Sequence, residues 1–121
     1  MEAPAATPVE RPEIEVLFLR TEDDPADIGR GFERLETTIG LRGRKFFGAF
    51  FPATGEYWAC VQTREGDDPA ALGLESGRLP GGRYLRTRLR GEPPQLDESR
   101  PSIEFYRRHD EIDLLLPVAA T

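Results

Sequence analysis

The stretch Pro101-Ser-Ile-Glu-Phe-Tyr-Arg-Arg-His-Asp-Glu-Ile-Asp-Leu-Leu-Leu-Pro-Val118 reads as two short strands joined by a charged turn. Alternation sends Ile103 and Phe105 to one face of the first strand and Glu104 and Tyr106 to the other. A carboxylate beside an aromatic ring on one strand face can hold an apolar cation or take part in proton transfer. A solvated strand face produces the same alternation, and Glu104 then meets only water. Both readings stay open on this stretch alone.

Working outward, residues 83–90 (RYLRTRLR) form another strand, with Tyr84, Arg86, Arg88 and Arg90 on one face and Leu85, Thr87 and Leu89 on the other. The arginines invite a nucleic-acid reading, but a solvated face paired with acidic neighbours fits an acidic chain better. Residues 91–100 are too short and too proline-rich for a full helix. Further upstream, residues 44–51 and 56–64 make an antiparallel hairpin around Pro52-Ala-Thr-Gly55. In its second arm Trp58 and Cys60 share one face, and Tyr57, Ala59 and Val61 the other. Trp58 suits either a packed core position or a ligand contact.

Asp24 has the character of an N-cap, followed by Pro25 at the first helical position. Ile28, Phe32, Leu35 and Ile39 recur at helical spacing, and Gly40 can end the helix. Gly29 and Gly31 weaken it unless something approaches closely there. Residues 13–20 form a strand with apolar side chains on both faces, so it is expected to be covered twice. Residues 65–77 are polar, with room for one helical turn from Asp68-Pro69 to Leu72. Residues 1–12, with Pro4, Pro8 and Pro12, read as a disordered tail, leaving residues 13–118 as the folded domain.

The chain has 121 residues, room for one core and not two. No apolar run approaches a membrane span, and residues 1–8 lack the features of a secretory signal, so a cytoplasmic protein without membrane contact is expected. One cysteine, Cys60, excludes an intrachain disulfide, and with a single histidine it leaves no basis for a metal site or other cofactor. A net charge of −6 opposes direct nucleic-acid binding and favours cationic ligands or basic partners.

The two halves follow one plan: strand, helix, strand, strand in the first, and strand, loop, strand, strand in the second. The expected fold is α+β, with duplicated strand-helix-strand-strand units forming one antiparallel sheet around a central cleft, the second helix being absent. Leu79-Pro-Gly-Gly-Arg-Tyr84, Gly91, Pro101-Ser-Ile-Glu-Phe-Tyr106, Leu116-Pro-Val118 and Gly55-Glu-Tyr-Trp-Ala-Cys-Val61 together resemble the GyrI-like domains. These domains, of the SHS2 fold, also serve as the effector-binding domains of AraC-type and MerR-type multidrug regulators. The resemblance implies a ligand cleft lined by aromatic side chains and one glutamate, which falls on Glu104, with Tyr106 as the aromatic after it. Tyr57 matches the family's third strand, whereas Trp58 stands where an acidic residue is common. With the second helix missing, the cleft is open, covered by residues 91–100, or completed by a second subunit in a homodimer.

The leading expectation is a stand-alone, noncatalytic protein that captures lipophilic aromatic compounds, cationic ones included, in a cleft with a central glutamate, with Glu104, Tyr106, Trp58 and Tyr57 as the ligand-binding residues. The resemblance also allows a hydrolase of reactive cyclopropane-bearing natural products, in which Glu104, Tyr106 and Trp58 would be catalytic. A third reading is a protein-interaction module of the gyrase-inhibitor type.

Overall fold

The computed structural model describes residues 7–40, 43–87, 97–106 and 112–118. Its elements are β1 (Thr7–Arg11), β2 (Ile14–Glu22), α1 (Pro25–Ile39), β3 (Phe46–Phe51), β4 (Glu56–Gln62), α2 (Pro69–Leu72), β5 (Glu75–Leu79), β6 (Gly82–Thr87), β7 (Ser102–Tyr106) and β8 (Ile112–Pro117). The strands join in one antiparallel sheet, ordered β1-β6-β8-β7-β3-β4-β2-β5. The architecture is the expected α+β sheet. The order β2-β4-β3 is mirrored by β6-β8-β7, with β3 and β7 meeting at the centre.

The connections force the sheet to curl. β5 and β6 stand eighth and second in the order, yet only Pro80 and Gly81 join them. Such a link spans at most about 11 Å, whereas six strand spacings on a flat sheet cover about 29 Å. β1 and β2, first and seventh, are likewise joined by Pro12 and Glu13 alone. The two ends therefore approach, and a side chain added at Gly81 would stand 2.9 Å from the Arg11 carbonyl oxygen.

Curling closes one face of the sheet on itself. Val16, Phe18, Phe47, Ala49, Cys60, Leu79, Tyr84, Ile103 and Leu115 form one buried cluster there, and Val9 of β1 packs against it. Tyr84 is fully buried and donates from its hydroxyl to the Pro80 carbonyl at 2.7 Å. This corrects the expectation of a solvated Tyr84–Arg86 face: Arg86 is exposed, but the curl buries its neighbour two residues back. Arg88 and Arg90 lie outside the described residues. The Arg100 guanidinium stacks over Tyr84 at 4.9 Å and donates to the Arg83 and Val118 carbonyls at 3.1 and 2.6 Å, tying β6 to the end of β8.

The opposite face carries α1, which lies across β2 and β4. Asp24 caps the helix by accepting from the Asp27 amide at 3.0 Å, with Pro25 in the first turn. Leu35 is fully buried, and Phe32 and Ile39 complete a cluster with Leu17, Ala59, Val61 and Leu74. Gly31 allows the close approach: a Cβ there would stand 2.8 Å from Thr21 Cγ2. β2, covered on both faces, has Val16 and Leu17 fully buried as expected.

The tail expectation is corrected for residues 7–11, which pair with β6 from Thr7↔Arg86 to Arg11↔Gly82. Pro8 is compatible with this because β1 is an edge strand and needs to donate on one side only. Residues 1–6 lie outside the described residues, as does the 88–96 segment in which a second helix was expected to be absent.

Candidate functional site

The site arises where the central pair of strands meets α1. In the β3–β7 register Gly48 lies opposite Glu104, and in the β3–β4 register it lies opposite Ala59. Glu104 and Tyr57 thus point to the same face from strands on either side of β3. Two strand spacings, about 10 Å, separate those strands. The Tyr57 ring crosses β3 above Gly48, and its hydroxyl donates a short hydrogen bond to Glu104 Oε1. A Cβ at position 48 would stand 2.7 Å from that same oxygen.

Tyr106 completes the group. Its hydroxyl donates to Glu104 Oε1 at 3.0 Å and lies 3.2 Å from the Tyr57 hydroxyl. Phe32 of α1 meets Tyr106 edge-on at 5.0 Å and Tyr57 at 6.4 Å, so the helix supplies an aromatic wall. Glu104 is half-buried, and among the described residues no arginine, lysine or histidine pairs with it. Among these residues its Oε1 is held by two neutral hydroxyls.

Burial pushes the Tyr57 hydroxyl well above the ordinary tyrosine value, and the hydrogen bond to Glu104 adds to this. Tyr106 is pushed up to about 12, chiefly by burial, with the negative charge of Glu104 adding to it. Both tyrosines remain protonated donors at neutral pH and fix the carboxylate's position.

The structure brings Glu104, Tyr106 and Tyr57 together and leaves Trp58 apart. Trp58 alternates with Tyr57 and lies on the curled inner face, stacked on Phe18 at 3.7 Å and tilted against Phe51 at 4.3 Å. Its indole Nε1 donates to Glu56 Oε1 at 3.2 Å. Two contributors escaped the sequence reading. Phe32 reads there only as a core residue of the helix stripe. Gly48 carries a legible signal, a glycine between apolar residues inside a strand, which marks a close approach of other groups.

Among the described residues no cluster of histidine, cysteine and carboxylate side chains is arranged to hold a metal ion. Cys60 is fully buried, and desolvation pushes its thiol up, so it is no reactive nucleophile.

Neither a family model nor a curated protein matches the chain. Solved structures do match its fold. An integron cassette protein from the mobile metagenome of Vibrio cholerae superposes with a TM-score of 0.69 at 16% identity, covering 94% of this chain and 95% of that one. SAV2435, solved bound to tetraphenylphosphonium, superposes with a TM-score of 0.58 at 13% identity, covering 96% of this chain and 94% of that one. At these identities the likeness is one of fold. No helix among the described residues is long and apolar enough to cross a membrane.

Proposed function

We propose that this chain is a small-molecule-binding protein of the GyrI-like kind that captures lipophilic aromatic cations beside α1, with Glu104 as the counter-charge. The observation that carries the reading is a half-buried carboxylate oriented by two tyrosine hydroxyls, flanked by aromatic rings and, among the described residues, lacking a cationic side-chain partner. Such a carboxylate is costly to desolvate alone, and a bound cation offsets that cost. Aromatic faces add cation–π attraction of about 0.5–2 kcal/mol. That a protein of the same fold was solved with tetraphenylphosphonium supports this choice of ligand class. The mirrored strand order supports reading the two halves as copies of one unit.

The hydrolase alternative groups Glu104 and Tyr106 with Trp58, which the sheet separates from the other two. The binding reading proposed here likewise drops Trp58 and rests on Glu104, Tyr106 and Tyr57, which meet, with Phe32 beside them.

Calorimetric titration of wild type and Glu104→Gln with tetraphenylphosphonium tests the proposal. The substitution keeps the shape and removes the charge, so it is expected to weaken binding about 10- to 100-fold, the range for a charge-assisted contact. Unchanged affinity would defeat the reading.

A further inference from the structure

Both tyrosine hydroxyls converge on one carboxylate oxygen, Oε1. Among the described residues Glu104 has no hydrogen-bond or ion-pair partner beyond these, so none of them engages Oε2. Among the described residues the one buried side-chain polar atom without a partner is Arg100 Nη1, and Glu104 itself is only half-buried, so those residues leave Oε2 a path to solvent. The two tyrosines hold the carboxylate so that one oxygen is used internally and the other is presented outward in a fixed direction. On the β7–β8 side of it stand Leu114, opposite Glu104, and Ile112, opposite Tyr106 and 44% exposed. Apolar surface thus lies next to a single aimed acceptor.

We propose, building on the cation-binding reading above, that Oε2 accepts a hydrogen bond from the ligand, and that the preferred ligands are protonated amines on aromatic scaffolds rather than quaternary cations. An N–H⁺ donor places its charge about 2.8 Å from the acceptor. A quaternary centre, sheathed in carbon, is held farther off and gives Coulomb attraction without a directed bond. The unengaged lone pairs of Oε2 are satisfied by the first and not by the second.

The test is a matched pair, N,N-dimethyl-2-naphthylmethylammonium and its trimethylammonium homologue, titrated by calorimetry at pH 7 into wild type, Glu104→Gln and Tyr106→Phe. Wild type is expected to bind the dimethyl compound at least tenfold more tightly. Glu104→Gln is expected to erase most of that ratio, with melting curves confirming the fold. Tyr106→Phe frees part of Oε1 and loosens the carboxylate's aim, so it is expected to narrow the ratio without abolishing binding. Equal affinity of wild type for the two compounds overturns the inference, while loss of both in Glu104→Gln would leave the cation-binding reading standing. Failure of wild type to bind either compound overturns both.

Discussion

A methyl group at position 48 would stand 2.7 Å from Glu104 Oε1 and closer still to the Tyr57 hydroxyl, so Gly48→Ala must drive the tyrosine off the carboxylate. Overpacking of this kind costs about 1–3 kcal/mol. Thermal melting of Gly48→Ala is expected to show that loss, together with cation binding reduced more than tenfold. A melting temperature and affinity equal to wild type would show that the Tyr57–Glu104 contact is not what shapes the site. The tyrosines make a second prediction. The chain has three, Tyr57, Tyr84 and Tyr106, and all are pushed above the ordinary value near 10, chiefly by burial. Their folded-state values exceed the unfolded ones, so the associated stability is complete below about pH 10. It is lost as pH rises toward about 12, the value for Tyr106. Tyrosinate absorbance is expected to stay flat through about pH 10, the ordinary value, and to rise toward about pH 12 together with unfolding. A smooth titration centred near 10 in the folded protein would contradict this.

Among the elements, α1 was legible because its N-cap, proline and apolar stripe are local signals that agree with one another. β1 was not, because three prolines and short length read as disorder, and only the pairing with β6 makes residues 7–11 a strand. That pairing places Val9 against the inner cluster. Deleting residues 1–11 is therefore expected to destabilise the domain by about 2 kcal/mol, the scale of burying one valine. An unchanged melting temperature would show that β1 contributes nothing. The loop after β4 is tied to the approach to β3 by Arg44, which donates to both carboxylate oxygens of Asp67 at 2.6 and 2.9 Å. Those side chains are only 15% and 9% exposed. The hydrogen bond from Arg44 holds the Asp67 carboxyl below its ordinary value. Its contribution to stability is present above about pH 4, the ordinary aspartate value, and fades as pH falls further. Asp67→Asn is expected to cost about 2 kcal/mol at pH 7, with the gap from wild type narrowing under acid. A gap independent of pH would point to packing rather than charge.

On the scale of the whole molecule, β2, β3, β4, β6, β7 and β8 with their hairpins follow from alternation, and so does the shared face of Glu104 and Tyr106, whereas β5 lies largely in a stretch that reads as polar and turn-rich. The strand order does not follow from alternation either. Local pattern cannot say that β5 and β6, adjacent in sequence, lie near opposite ends of the sheet. For the same reason Trp58 could not be assigned a side: both faces of β4 carry apolar groups, and only the curl makes one of them an inner core. The molecule divides its aromatic side chains accordingly. Phe18, Phe47 and Trp58 build the enclosed face, whereas Tyr57, Tyr106 and Phe32 surround the carboxylate beside α1.

If that carboxylate selects what binds, the sign of the ligand's charge must matter when size and shape do not change. Tetraphenylphosphonium and tetraphenylborate meet this condition. Titrating each into wild type at about 0.15 M salt screens the long-range field of the acidic chain beyond about 8 Å. The phosphonium is expected to bind measurably and the borate at least tenfold more weakly. Borate binding as tight as the phosphonium would contradict it, because apolar surface alone would then be choosing the ligand.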